Sequence, residues 1–216
     1  MNSCCCKFIC WGCNYANHKR ELERKLESKC PFCRQTPPKT REEAENNYMK
    51  RLEANDPFAM IQLGVQRKKA GDLSGAFEYY TKAAELGNLD AHYNLSLTYQ
   101  HWDPVEENRK AKLYHLEVAA IGGHADARYD LGYFEAINDR QNRAIKHWII
   151  AANQGCDKSL DILKKNYAND GSVTKDEFAS ALRGHHAAVK ATKSHQRKEA
   201  EAARQMAEAA TADWQI

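Results

Sequence analysis

No apolar run in this chain approaches the ~20 residues that a membrane-crossing helix needs, which excludes a helical span. The first residues, with Cys4, Cys5, Cys6 and an early Lys7, also lack the long apolar core of a secretory signal. These two absences predict a cytoplasmic or nuclear protein with no membrane partner. Charge of one sign is equally scarce: the formal net charge is only +3, so whole-molecule attraction to nucleic acid is a poor expectation. Catalytic signatures are missing as well. There is no Ser/His/Asp grouping, no phosphate-binding glycine loop and no H-E-x-x-H, and the sequence leans away from an enzyme. Beyond residue 33 the chain has a single cysteine, Cys156, so no disulfide framework runs through its body.

The residues that are present begin with the other seven cysteines, all within the first 33 positions. Cys10-x-x-Cys13 is followed, after sixteen intervening residues, by Cys30-Pro31-Phe32-Cys33. In a reducing compartment such thiols are metal ligands before they are disulfides. Two thiolates three apart can wrap one side of a tetrahedral ion in a tight turn, and a second pair closes the other side. The spacing therefore predicts a small zinc-binding module over residues 1–36, with Zn2+ as its cofactor.

The wording around these cysteines resembles a RING-type finger. Cys4-Cys5-Cys6-Lys7-Phe8-Ile9-Cys10-Trp11-Gly12-Cys13 is similar to the middle of such a domain, and Cys30-Pro31-Phe32-Cys33-Arg34 to its closing C-P-x-C-R. The resemblance implies two zinc ions, with Cys5 (or Cys4 in its place) joining Cys30 and Cys33 on one and Cys10 and Cys13 on the other. It also implies a ubiquitin-conjugating enzyme as partner, with Arg34 at the position that helps activate bound ubiquitin. The family's opening C-x-x-C pair is not in the sequence. Either the finger begins before Met1, or it has shrunk to one zinc on Cys10, Cys13, Cys30 and Cys33.

Between the cysteine pairs, residues 17–29 are strongly charged with Leu22 and Leu26 four apart, which predicts a short helix with one apolar stripe. Pro37-Pro38 marks a linker. Thr40 and Glu43 form a capping box opening a helix over about 41–54, placed to cover the end of a repeat array.

That array occupies residues 56–155, where one pattern is repeated three times. An alanine stands four before a leucine at Ala59 and Leu63, Ala91 and Leu95, Ala127 and Leu131. Later in each copy an alanine pair precedes a glycine by three: Ala84 and Gly87, Ala120 and Gly123, Ala152 and Gly155. The copies are 32 and 36 residues apart, and such a period marks a stacked repeat. Each reads as two antiparallel helices whose small residues allow close approach, ended by a glycine that takes left-handed geometry cheaply. On that reading Tyr79, Tyr80, His115, His147 and Trp148 are core or groove lining rather than a cofactor box.

These residues resemble the Sel-one-like repeat (SLR), a relative of the tetratricopeptide repeat, over roughly 57–156. The resemblance implies a right-handed α-solenoid that binds other proteins or peptides and has no chemistry of its own. Leu95-Ser96 and the segment Tyr99–Val105 depart from the family pattern, and Trp102 there is a candidate partner contact.

An incomplete fourth copy places Ser159 and Leu163 in register. Residues 169–178 are similar to half of a calcium-binding loop, but Ala168 offers no oxygen, and a helix corner capped by Thr174 and Glu177 is the plainer reading. From Lys175 a long helix carries Phe178, Leu182 and Val189 along one stripe, which fades after Lys190 into an exposed helical tail over 191–216.

The whole is expected to be all-α. The modules are a partial finger (1–36), a linker with capping helix (37–55) and helical repeats (56–190, as 56–88, 89–124, 125–156 and an incomplete 157–190), before the tail. The function expected is an intracellular protein-interaction adaptor. The alternative is a ubiquitin-protein ligase whose finger recruits the conjugating enzyme while the repeats select substrate. Nucleic-acid binding by the basic ends ranks lowest.

Overall fold

The computed structural model describes residues 10–101, 106–169 and 171–212, and among them it holds eleven helices and no strand. Cys4, Cys5, Cys6 and Trp102 lie outside the described residues. The chain divides into two compact units, one of residues 1–59 with 192–216 and one of residues 60–191.

In the first unit, α1 (Trp11–Glu23) begins directly on the first cysteine pair. The helix expected over 17–29 therefore starts earlier and stops sooner. Lys25 takes a left-handed φ of 52°, and the chain folds back so that Glu21 accepts hydrogen bonds from the Asn17 amide (2.8 Å) and the Lys29 N–H (3.3 Å). The face that buries is consequently that of Glu21, while Leu22 and Leu26 stay exposed. After the Pro37-Pro38 linker comes α2 (Arg41–Glu53), whose N-cap Thr40 accepts from Glu43 N–H at 3.1 Å. The Glu43 carboxylate returns its bond to Lys39 N–H, one residue outside the usual box. No α2 residue is fully buried. α11 (His195–Ala212) lies against α1: Ala200 is completely buried, Gly12 sits against the Arg197 backbone, and Lys19 pairs with Glu199 at 3.7 Å. The residues expected as an exposed tail thus include a packed face.

The second unit is the repeat body. Its helices are α3 (Pro57–Lys69, in this unit from residue 60), α4 (Leu73–Glu85), α5 (Leu89–His101), α6 (Glu106–Ile121), α7 (Ala125–Ile137), α8 (Gln141–Asn153), α9 (Asp157–Asn169) and α10 (Lys175–Thr192, in this unit to residue 191). The repeated small residues Ala59, Ala91, Ala127 and Ser159 are all at zero exposure, so the first helix of each pair approaches its neighbours with no side chain between. Leu95, Leu116, Leu131, Trp148 and Leu163 fill the seams.

The helix ends explain the regular spacing. Gly87, Gly123 and Gly155 have φ of 76°, 101° and 89°. At each, paired backbone bonds close a Schellman motif, as in Gly87 N–H to Ala84 O (2.8 Å) with Asn88 N–H to Ala83 O (3.1 Å). The next residue then starts the following helix. Asn88 Oδ1 accepts from Ala91 N–H, and His124 Nδ1 accepts from Ala127 N–H, both at 3.1 Å. One three-residue turn thus ends one repeat and opens the next.

The calcium-like segment folds as a capped corner. Glu177 accepts from Thr174 N–H (2.9 Å) and its hydroxyl (2.8 Å), Thr174 accepts from Glu177 N–H (3.2 Å), and Val173 is buried in the last core cluster. With its carboxylate engaged by the cap, Glu177 is held below the usual carboxylate range by those bonds.

Candidate functional site

The expected metal ligands within the described residues form two local turns. Cys10 is the N-cap of α1, and its Sγ accepts from Cys13 N–H at 3.3 Å. Cys10 is held down to about 7, first by a hydrogen bond from Arg197 and then by Cys13. Cys30 is buried; its carbonyl accepts from Arg34 N–H at 2.9 Å, which closes the turn carrying Cys33, with Arg34 at φ 62°. Each C-x-x-C pair is thus held by its own backbone. The four cysteines do not converge: among the described residues no three His, Cys, Asp or Glu side chains form a group able to hold an ion. His18, in the segment between the pairs, is exposed.

In the second unit the histidines of α5 and α6 meet. His92 and His115 face each other Nδ1 to Nδ1 at 2.9 Å, with Tyr99 stacked on His115 at 5.8 Å between ring centres. His92 also bonds the Ala84 carbonyl, and one of the two facing Nδ1 atoms carries the proton shared between the rings. Burial, and then His92, hold His115 down to about 4. This pair is a neutral structural contact, in keeping with the core reading of His115.

The repeat body opens into a groove between α5, α6 and α7, a cavity of about 390 Å3. Leu97 comes from α5 and Lys112 from α6; α7 supplies Asp130 together with Tyr133, Phe134 and Ile137. The helical spacing makes this one face, since Asp130, Tyr133, Phe134 and Ile137 stand three or four apart. Tyr133 and Ile137 are more than half exposed, an uncommon state for adjacent large apolar side chains on one stripe.

Beneath them lies a partly buried carboxylate. The Tyr93 hydroxyl donates to Asp130 Oδ2 at 3.1 Å, across thirty-seven residues. Burial pushes the Asp130 carboxyl above its ordinary range; the Tyr93 bond, Lys158 and Lys112 oppose that, and Asp126 adds to it. Burial and Asp130 together push the Tyr93 phenol well above its usual value, so it remains a donor. One turn earlier, Asp126 has Lys158 at 3.5 Å. Asp130 has no such ion pair among the described residues.

Of the groove residues the sequence singles out Ser96, as a departure from the family pattern, but neither Asp130 nor the Tyr133, Phe134 and Ile137 stripe, although a trace of Asp130 exists there. The position just before the repeated leucine is polar in three copies, Gln62, Asn94 and Asp130, and charged only in the third.

Solved structures share the helical fold. A Sel1 repeat protein from Oxalobacter formigenes superposes with a TM-score of 0.59 at 22% identity, over 86% of this chain and 74% of that one. An immunity protein from Pseudomonas aeruginosa gives 0.54 at 19% identity, over 84% and 76%. A protective antigen of uropathogenic Escherichia coli strains, displaying an SLR fold, gives 0.52 at 19% identity; 89% of this chain spans 44% of that one. No family model and no curated protein matches the sequence. The chain therefore has the helical fold of Sel1 repeats.

Proposed function

We propose that this protein is an interaction adaptor whose repeat body holds a peptide segment of a partner in the groove between α5, α6 and α7. The observation that carries this reading is the pair Tyr133 and Ile137, more than half exposed beside the partly buried Phe134 along a 390 Å3 cavity. A row three and four apart receives alternate side chains of a bound segment, and the stacked helix pairs supply a rigid wall. The likeness to Sel1 repeat folds supports the architecture this requires.

The test is selection of short random peptides on the full chain, followed by affinity measurement on two variants. Peptides that lose binding on Ile137→Asp but keep it on Ile121→Asp, a still more exposed site outside the groove, support the reading. Failure to enrich any peptide, or binding indifferent to Ile137, rules it out.

For the first unit we infer structural zinc, either one ion on Cys10, Cys13, Cys30 and Cys33, or two, with Cys5 (or Cys4 in its place) joining Cys30 and Cys33 on one and Cys10 and Cys13 on the other. The support is local: each C-x-x-C pair already sits in a closed turn, and Cys10 is biased toward thiolate. Metal would draw together two turns that otherwise remain apart. Zinc per chain by metal analysis, with a Cys30→Ser, Cys33→Ser variant, tests it: metal in the intact protein and none in the variant supports the module, and no metal in the intact protein removes it. A ligase reading, with a ubiquitin-conjugating enzyme as partner, rests on the sequence resemblance alone. Discharge of a charged conjugating enzyme by the full chain would be needed to sustain it.

A further inference from the structure

We propose that the α5–α6–α7 groove selects peptides that carry an apolar side chain beside a lysine or arginine, the cation pairing with Asp130. The proposal rests on the peptide-binding reading and adds the chemistry of the occupant.

Charge complementarity decides the class. Asp130 is a partly buried lining residue of an otherwise mostly apolar groove and accepts a neutral hydrogen bond from the Tyr93 hydroxyl. A carboxylate half withdrawn from water favours a cation far more than an exposed one does, because less solvent screens the pair. The neighbouring acid shows what is missing: Asp126 has Lys158 at 3.5 Å, and Lys158 also stands 6.0 Å from the Tyr129 ring centre, which fixes it on that side. Among the described residues, Asp130 has no lysine or arginine at ion-pair distance, and Lys158 and Lys112 act on it only from further away.

Lys112, on the α6 side, lines the same groove without forming an ion pair with any described carboxylate. It offers a donor to backbone carbonyl oxygens of an extended segment. It also sets a limit on the ligand, since a second cation on that side would be repelled. The preferred occupant thus carries one basic residue next to one apolar residue that covers Tyr133 and Ile137. A polybasic tract would gain nothing from its further charges.

The same balance holds on the protein's side: burial raises Asp130's carboxyl, and the Tyr93 bond with the more distant Lys158 and Lys112 offsets this only in part, which leaves room for further compensation. A ligand ammonium or guanidinium supplies it. The pair forms only on binding, so its energy goes to recognition and not to folding.

The probe is the set of short random peptides selected on the full wild-type chain, retested against Asp130→Asn. Asparagine keeps an oxygen to accept from Tyr93 and removes only the charge. The selected peptides are expected to share a lysine or arginine beside an apolar residue and to bind Asp130→Asn about tenfold more weakly. Replacing that lysine by norleucine should weaken binding to wild type by a similar factor and leave binding to Asp130→Asn unchanged. Circular dichroism and a melting curve confirm that the variant is folded.

Peptides that depend on Ile137 but share no basic residue would overturn this proposal and leave the peptide-binding reading standing. Equal affinity for both proteins would do the same. No enriched peptide at all would overturn both. A dimer in sedimentation that Ile137→Asp dissociates would assign the groove to a second copy of the chain and likewise overturn the proposal.

Discussion

Gly132 lies directly under the indole of Trp148. A β-carbon on Gly132 would stand 2.5 Å from the Trp148 ring nitrogen, which itself donates to the Tyr129 carbonyl at 3.2 Å. Gly64 has the same relation to Tyr80, at 2.6 Å. In the middle copy the matching pair is Ser96 and Leu116, a larger residue on one helix answered by a smaller one on the other. This interlock, not the alanine spacing alone, sets how closely the two helices of a repeat approach.

Gly132→Ala should therefore destabilise the repeat body. Alanine gains up to about 1 kcal/mol of helix propensity, but overpacking against a rigid ring costs about 1–3 kcal/mol, and the ring cannot move without losing its hydrogen bond. A net loss is expected in thermal or urea unfolding. Combining Gly132→Ser with Trp148→Leu imitates the middle copy, and should prove less harmful than the sum of the two single changes. Strict additivity would show that the two residues are not coupled.

The turn glycines isolate a different cost. A β-carbon on Gly87 would meet no atom within 4 Å, so substitution there tests backbone conformation alone. Gly87→Ala must hold a left-handed φ of 76° and should lose about 1 kcal/mol, with Gly87→Asn less affected. Unfolding midpoints of the two variants measure this directly. If alanine were tolerated as well as asparagine, the turn could not be Schellman-type.

Those glycines were legible in the sequence because each performs a task that few other residues can. The alanine pairs were legible for the same reason, since contact between helix backbones admits little else. The Gly132–Trp148 interlock was not, because a glycine inside a helix gives no sign of which ring lies above it. His124 as a helix N-cap was hidden too: histidine is an unusual cap, and its role depends on the turn geometry at Gly123. The groove was hardest to see. Tyr93 meets Asp130 only because α5 and α7 belong to stacked repeats, a relation carried by tertiary packing rather than local pattern. In the first unit the Leu22 and Leu26 spacing misled, since the turn at Lys25 ends the helix before that stripe can bury.

The paired histidines predict a pH dependence. Both His92 and His115 are held below the usual imidazole value of 6.5, His115 down to about 4. In the unfolded chain each takes up a proton as pH falls through that usual value, while the folded protein resists. The unfolded state therefore binds more protons between about 6.5 and 4, so stability is fully present above 6.5 and is lost as pH falls through this window. His115→Gln should flatten the decline in melting temperature between pH 7 and 5. An unchanged slope would mean that the pair contributes nothing to acid sensitivity.

Asp130 should behave in the opposite sense. Its carboxyl is raised in the folded protein, chiefly by burial, so on raising the pH the unfolded chain loses its proton first. Stability from this group is present at low pH, is lost as pH rises from the ordinary carboxylate value through the raised one, and stays lost at neutrality. Asp130→Asn removes that loss while keeping an acceptor for Tyr93. It should melt at or above the wild-type temperature at pH 7, with the difference vanishing in acid. A peptide carrying lysine should narrow the gap by stabilising the wild type and not the variant, since ligands stabilise only the state that binds them. A residue that weakens the empty protein yet strengthens its complex is what a recognition site requires and a purely structural one does not. If Asp130→Asn instead melted well below wild type at pH 7, the carboxylate would be serving the fold, and the groove would lose its claim to a charge kept for a ligand.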